Sequence, residues 1–336
     1  MRRLPWPAWL VAAGLALLIG AGALYVVPSD RYIFLPDKAR PLDSKVTVQG
    51  EKPDEDGGSV NYVAVDVRKA SLLEKLFPSL YEGATLEPAG NVLAEGEDEK
   101  AHRRCELAAM RRSQAYATTV ALRALRYRVV TRRRGVAVEG TFPGYPAEGR
   151  LRECDRIKAV DGKPVRTSED VTTALRAKRP GEQVRMRIVR DGKERTVTVP
   201  TVADPRDHRR AFVGISVADV FDVARFPVDV KIDLGQVGGP SAGLAFALEV
   251  MEKLGRDVDH GHKVAASGEI GLDGSVAKVG GIKQKTIGAR RSGMDVFLVP
   301  GDNAAEARRY ADGLRIVPVD SFQQALRALA TLPPKS

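Results

Sequence analysis

The chain has 336 residues, a formal net charge of +10, two cysteines and four histidines. The length allows two or three folded units, and 43% hydrophobic with 29% charged residues describe a globular protein, not a disordered or fibrous one. Two cysteines exclude a disulfide scaffold and an all-cysteine zinc site, and four histidines leave little room for a multi-histidine metal centre. The positive charge points first to nucleic acid or to an anionic membrane surface.

The first predicted element is a membrane helix over residues 8–27, which contain no charged residue. A helix of this length spans a hydrocarbon core of about 30 Å. Arg2 and Arg3 precede it, which favours a cytoplasmic tail over residues 1–7 and extracytoplasmic domains after the helix. We therefore predict a single-pass protein of the cytoplasmic membrane with no nucleic-acid partner. The alternative is secretion, because Ala21-Gly22-Ala23 has the form of a signal-peptide cleavage site.

Residues 28–56 are rich in proline and predict an irregular extracytoplasmic lead-in. Alternating apolar residues predict a strand over 59–67, and apolar spacing predicts a helix over 101–126. Outside the cytoplasm a disulfide between Cys105 and Cys154 is permitted, although the sequence leaves its formation open.

A β-rich module is predicted over residues 127–203, with one clear helix that is capped by Ser168 and runs to about Lys178. The residues that suggest its family are Pro146-Ala147, Asp155-x-Ile157, Val160-Asp161-Gly162 and Pro180-Gly181. In these residues the module resembles a bacterial PDZ domain, although Cys154 stands where that family usually has glycine. The resemblance implies a groove that takes an extended peptide as an added strand. The alternative is that the module only packs against and positions its neighbour.

A glycine-rich loop at 235–239 precedes Pro240, which predicts the start of a helix and places Ser241 at its N-terminal end. Backbone N–H groups at such an end favour negative charge and could stabilise an oxyanion. A nucleophilic serine needs a base, but no histidine occurs in the last 74 residues. Lysine is the usual substitute. The acidic and histidine residues at 257–262 could be metal ligands, but a polar loop is favoured there, and neither a metal nor a cofactor is predicted.

The motifs Gly239-Pro240-Ser241-Ala242-Gly243 and Gly280-Gly281-x-Lys283-x-Lys285 closely resemble the proteolytic domain of Lon-type proteases. This resemblance implies a Ser-Lys dyad with Ser241 as nucleophile and Lys285 as general base, with Lys283 as the alternative. It also implies that Ser267 supports the dyad. Gly238, Gly239 and Ala242 are the predicted oxyanion or loop backbone. Lon proteases often have aspartate at the position of Gly238, so that acid is absent here or replaced, with Asp233 as one candidate.

The two resemblances together predict an α+β chain with an N-terminal transmembrane helix and a Lon-type domain that contains an inserted PDZ domain. The Lon-type parts are predicted at 57–126 and 205–333, and Met110 and Ser113 lie in a helix that resembles one near the start of that domain. The sequence contains no G-x-x-x-x-G-K-[ST] phosphate loop. We therefore predict an ATP-independent serine endopeptidase that cleaves secreted or membrane-exposed proteins or peptides, with the PDZ domain selecting or gating substrate.

The alternative function is an inactive, membrane-anchored PDZ scaffold that binds peptides. Because Lon relatives form rings, the resemblance also implies that the chain could form a homo-oligomer. Much of the positive charge lies in arginines between 103 and 134. These predict a solvated helix face, with contact to anionic lipid or acidic substrate segments as the functional alternative.

Overall fold

The structure, a computed structural model, describes residues 6–51, 57–94 and 97–333. The α-helices in this part of the chain are α1 (Trp6–Val26), α2 (Leu72–Leu76), α3 (Ala89–Val92), α4 (Glu99–Ala124), α5 (Ser168–Arg176), α6 (Gly243–Lys253), α7 (Ile282–Arg291), α8 (Gly301–Arg308) and α9 (Phe322–Ala330). The strands are β1 (Pro28–Pro41), β2 (Val46–Val48), β3 (Ser59–Ser71), β4 (Thr85–Pro88), β5 (Val130–Thr141), β6 (Arg156–Val160), β7 (Lys163–Pro164), β8 (Gln183–Arg190), β9 (Lys193–Pro200), β10 (Val202–Ala203), β11 (Ala211–Phe212), β12 (Ile215–Arg225), β13 (Val230–Ile232), β14 (Lys263–Ala266), β15 (Glu269–Ile270), β16 (Val276–Ala277), β17 (Val296–Pro300) and β18 (Arg315–Val319).

Helix α1 is long and apolar enough to cross a membrane, as the sequence predicts. Its segment Trp9–Val26 has a mean hydropathy of 2.1 and is not buried against the rest of the chain. A signal sequence near an N-terminus has the same properties. Arg2 and Arg3, on which the predicted orientation depends, lie outside the described residues.

The segment after α1 is a strand, so the prediction of an irregular lead-in is wrong for residues 28–41. Strand β1 pairs antiparallel with β3 on one side and with β4 on the other. Its prolines are compatible with this position because Pro28 and Pro41 end the strand and Pro36 lies beside a register shift. The single residue Val27 therefore joins α1 to a sheet. Of the predicted lead-in, residues 52–56 lie outside the described part of the chain.

The first large sheet, here called the mixed sheet, has the strand order β18-β17-β14-β3-β1-β4. Strands β3, β14, β17 and β18 are parallel neighbours, whereas β1 runs antiparallel to both of its neighbours, β3 and β4. Helix α6 is buried along nearly its whole length between this sheet and α4. Because the apolar spacing of α4 presents Met110, Ala117 and Ala121 to the same core, α4 supports α6 from the opposite side.

The second large sheet, here called the antiparallel sheet, has the order β12-β5-β6-β8-β9, with β7 paired to β6. It encloses a separate apolar core with Leu151, Ile157 and Met186 fully buried. Tight turns at Asp161-Gly162 and Asp191-Gly192, with positive φ at all four residues, connect its strands. Helix α5 covers this sheet, and its N-cap is Thr167, one residue before the predicted cap.

Strand β12 belongs to the antiparallel sheet, because its residues pair with β5 from Val130 to Thr141. By pairing, the antiparallel sheet therefore extends to Arg225, beyond the predicted division at residues 203–205. Short-range patterns do not reveal this pairing, because the partner of β12 lies some 80 residues earlier in the chain. The chain returns to the first unit at β13, which pairs with β2. The antiparallel sheet is thus inserted between two parts of the first unit.

Helix α4 also connects the two units. Cys105 on this helix forms a disulfide with Cys154 beside the antiparallel sheet. Arg104 pairs with Asp191 at 3.0 Å, and the Tyr116 hydroxyl accepts a hydrogen bond from the Phe221 N–H at 2.9 Å. Part of the predicted arginine surface is therefore used between the units and is not simply a solvated face.

Candidate active site

Ser241 lies in a turn immediately before α6, which begins at Gly243 and not at Pro240. The later start has a local cause, because the Ser241 carbonyl accepts the Gly268 N–H at 2.8 Å and so does not continue the helical pattern. The Ser113 hydroxyl, from α4, donates to the Pro240 carbonyl at 2.8 Å. Both contacts hold the Ser241 backbone at the edge of the core while its side chain remains half-buried.

Lys285 reaches Ser241 from the first turns of α7. Its Nζ lies 2.6 Å from Ser241 Oγ, and the residue is only 4% exposed. Desolvation lowers the pKa of Lys285 to about 7, whereas Glu106 acts in the opposite direction. A lysine with this pKa can be a neutral amine near neutral pH and can accept a proton.

Lys283 does not face Ser241. Its Nζ donates to the Ala84 carbonyl at 3.2 Å and lies 5.6 Å from the ring centroid of Tyr310. Since residues two positions apart on a helix point in different directions, Lys283 and Lys285 cannot reach the same group.

Ser267 lies where the sequence places a supporting hydroxyl. Its Oγ is 3.2 Å from Lys285 Nζ and 3.2 Å from the Ser241 carbonyl, to which it donates. The residue is 1% exposed. The hydroxyl thus links the backbone of one predicted dyad residue to the side chain of the other.

The predicted backbone residues Gly238 and Gly239 contact Glu106, which sequence reasoning missed. The Gly239 N–H donates to the Glu106 carbonyl at 3.0 Å, and Gly239 has a φ of +86°, which favours glycine. Asp233, the candidate replacement for an acid at position 238, is exposed and accepts the Gly235 N–H. Glu106 could not have been found from the sequence, because no local motif connects it to a loop more than 130 residues later.

Ser241 and Lys285 open into a cleft of about 2460 Å³. One wall comes from β1 and β3, another from α4, and a third from the antiparallel sheet and the loop after β5. Several acids line it, and desolvation followed by repulsion from Glu106 raises the pKa of Glu153 to about 7. Desolvation also raises the pKa of Glu269, which Arg112 opposes.

The segment 257–262 lies away from this cleft. Oxygen atoms of Glu252, Asp257 and Asp259 lie within 4.8 Å of one another. However, Glu252 Oε1 accepts the N–H groups of Val258 and Asp259, and burial raises the pKa of Glu252 to about 8. These contacts are those of a polar loop that closes after α6, which is the favoured interpretation of the sequence.

Comparison with known proteins supports both resemblances. The family described as the Lon protease (S16) C-terminal proteolytic domain matches residues 219–331, and the PDZ domain family matches residues 110–201. The chain carries a Lon-type proteolytic domain and a PDZ domain. The Lon-type domain is that of a serine peptidase, and its matched segment includes Ser241 and Lys285.

Among curated relatives, Lon protease from Mesomycoplasma hyopneumoniae is 32% identical over 31% of this chain and 12% of its own length. Lon protease 2 from Bacillus subtilis is 31% identical over 36% of this chain and 21% of its own length. Lon protease from Azorhizobium caulinodans is 27% identical over 65% of this chain and 27% of its own length. The chain therefore spans between about an eighth and about a quarter of these Lon proteases.

Proposed function

We propose that the chain is a serine endopeptidase in which Ser241 is the nucleophile and Lys285 is the general base. The observation that carries this proposal is the 2.6 Å separation of Lys285 Nζ and Ser241 Oγ at a buried site. A neutral Lys285 would take the Ser241 proton as Oγ attacks the substrate carbonyl carbon. The resulting ammonium would then give this proton to the leaving amine, and water would hydrolyse the acyl-serine ester with Lys285 again as base.

The backbone donors for the developing oxyanion are proposed at Ser241 and Ala242, before α6. Among the described residues, neither N–H has a backbone partner, whereas the predicted donor Gly239 already donates to Glu106. Preorganised N–H groups next to a nucleophile stabilise negative charge on the carbonyl oxygen without a further side chain.

The PDZ domain is proposed to select or gate substrate. Residues 138–141 and the loop that contains Tyr145 line the same cleft as Ser241 and Lys285. A polypeptide bound along the cleft would therefore contact the PDZ domain as well as the nucleophile. We also propose that turnover needs no ATP, since the sequence contains no phosphate loop of the Walker type.

Cleavage of casein by purified protein tests this function directly. Wild type is expected to cleave casein equally with and without ATP, and Ser241→Ala is expected to lose activity by about 10³-fold or more. Ser275→Ala is a matched control, because Ser275 is exposed and its hydroxyl donates to the carboxylate of the nearby Asp273 at 2.6 Å. Equal cleavage by wild type and Ser241→Ala would rule out the dyad, and an inactive wild type would favour the peptide-binding scaffold.

The pH dependence of the wild type should show the Lys285 titration. Because the deprotonated amine is the base and its pKa is about 7, kcat/KM is expected to rise as pH increases through about 7 and then to level off. An ordinary lysine with a pKa of 10.5 would place this rise more than three units higher. A profile that is flat between pH 5 and 9 would contradict a lysine base.

We further propose that α1 is retained as an anchor that holds both domains outside the cytoplasm. Its length, its apolar composition and its lack of packing against the chain support this location. Full-length protein should remain in the membrane fraction after alkaline carbonate washing, whereas a variant lacking residues 1–27 should be soluble. Recovery of a soluble protein whose N-terminus lies just after Ala23 would establish secretion instead.

A further inference from the structure

Glu106 contacts the loop that carries the proposed nucleophile, and no sequence pattern predicts this contact. It follows Cys105 on α4, and its carbonyl accepts the Gly239 N–H at 3.0 Å. Gly239 is two residues before Ser241. The backbone of Glu106 therefore fixes one end of the loop that carries the proposed nucleophile.

The side chain of Glu106 fills the space that a side chain at position 238 would need. A Cβ atom added at Gly238 would lie 2.7 Å from Glu106 Cβ and 3.4 Å from Glu106 Oε2. A Cβ atom added at Gly239 would lie 3.0 Å from the same Oε2. The Glu106 carboxylate thus occupies the region that an acidic side chain at position 238 would enter.

Glu106 is also the residue that matters when the charged groups around Lys285 are considered. Glu106 is the charged group that acts on the Lys285 ammonium and opposes its desolvation, while Ser241 and Ser267 supply neutral hydroxyls. On α7 itself, Lys283 faces Ala84, and Arg290 and Arg291 pair with Glu82. Elsewhere in the cleft, Glu97, Arg112 and Glu139 act on Glu153 or Glu269.

We propose that Glu106 is a positioning residue of the Ser241–Lys285 site, and that its carboxylate, supplied from α4, takes the place of an acid at position 238. This inference rests on the proposed function. The backbone carbonyl holds Gly239, and the side chain lies beside Gly238 and lines the same cleft as Ser241 and Lys285. The glycines at 238 and 239 and the glutamate at 106 are then a matched set, since a side chain at position 238 would collide with Glu106 Cβ and one at position 239 would crowd its carboxylate.

The first experiment measures the pH dependence of kcat/KM for Glu106→Gln, Glu106→Asp and wild type on one peptide substrate. Glutamine keeps the size and the backbone contact but removes the charge that stabilises the ammonium. The midpoint of the rise in activity should therefore move to lower pH, by about half a unit. Glu106→Asp should keep it close to wild type. Glu194→Gln is the matched control, because Glu194 is an exposed residue of β9 that does not line the cleft.

The second experiment exchanges the acid between the two positions. Gly238→Asp alone should lower kcat by about tenfold or more, because its Cβ would collide with Glu106. Glu106→Gly alone should lose both the charge and the support of the loop. The double variant Glu106→Gly with Gly238→Asp should be more active than either single variant and should have a midpoint nearer to wild type, since it removes the collision and returns the carboxylate.

An unchanged midpoint in Glu106→Gln, or a double variant no more active than its better parent, would overturn the role of Glu106. Thermal unfolding of each variant shows whether lost activity reflects lost structure, and the midpoint itself does not depend on the fraction of folded enzyme. Failure of the proposed function looks different. In that case wild-type activity would be absent or would persist in Ser241→Ala, whatever residue stands at position 106.

Discussion

Replacing Lys285 by methionine or arginine is expected to reduce turnover by about 10³-fold or more while the protein remains folded. Methionine has no basic group, and arginine stays protonated at any working pH because its pKa lies above about 12. In either variant the Ser241 proton has no acceptor at the position now 2.6 Å away. The measurement is kcat/KM on a peptide substrate at pH 8, where the wild-type amine is mostly neutral.

Replacing Lys285 by methionine should raise the stability of the folded protein even though it lowers activity. The pKa of Lys285 is about 7 in the folded protein, against an ordinary value of 10.5. Between pH 7 and 10.5, Lys285 is therefore protonated in the unfolded chain and mostly neutral in the folded protein. Wild-type stability therefore rises as pH increases from about 7 to 10.5, and below pH 7 the buried ammonium costs up to about 5 kcal/mol. Lys285→Met removes this cost and should melt at a higher temperature than wild type at pH 6.

Lys283→Met is the matched control for this experiment, because Lys283 is two residues away on the same helix but faces Ala84 and Tyr310. It should keep activity within a few-fold of wild type. Full activity in Lys285→Met, or loss of activity in Lys283→Met but not in Lys285→Met, would show that Lys285 is not the base.

Removing the Cys105–Cys154 disulfide is expected to destabilise the protein by about 4 kcal/mol. The bond closes a loop with a sequence separation of 49, and the loss of chain entropy in the unfolded state has about this size for such a loop. Cys105→Ala with Cys154→Ala should therefore unfold at lower denaturant concentration than oxidised wild type. A reducing agent should destabilise the wild type by a similar amount and leave the double variant unchanged.

A second disulfide-free variant, with glycine in place of alanine at position 154, tests the backbone conformation there. Cys154 has a φ of +65°, a conformation that favours glycine, which is the residue that PDZ domains usually have there. Cys105→Ala with Cys154→Gly should therefore be more stable than the double alanine variant by about 1 kcal/mol. If the reducing agent does not change wild-type unfolding, the two cysteines are not joined in the purified protein.

The geometry at Ser241 and Lys285 was accessible from the sequence because each lies in a short motif with glycine or proline at fixed positions. The position of Ser267 near the dyad was predicted from the same resemblance to Lon-type proteases. Glu106 did not, since its contact with Gly238 and Gly239 depends on how α4 crosses α6 and leaves no periodic signal. Whether Cys105 and Cys154 form a disulfide could likewise not be predicted, because it depends on how closely α4 approaches the PDZ domain.

In the fold, elements with a clear repeat were predicted well, such as strand 59–67, found as Ser59–Ser71, and helix 101–126, found as Glu99–Ala124. Strand β1 was missed because its three prolines resemble those of a loop, and only pairing on both sides makes it a strand. The pairing of strand β12 with the antiparallel sheet was missed for a related reason. Its partner β5 is distant in sequence, so alternation alone could not show which sheet it joins.

If α1 is the membrane anchor proposed above, its short connection to β1 limits how far from the membrane the proposed peptidase can work. A flexible tether over residues 28–56 would reach about 100 Å when fully extended. Instead, Val27 alone separates the helix from a strand at the interior of the mixed sheet. With α1 in the bilayer, the cleft is held at a nearly fixed height above the lipid. Cleavage of a membrane-bound substrate should therefore depend on the number of residues between the scissile bond and the bilayer surface.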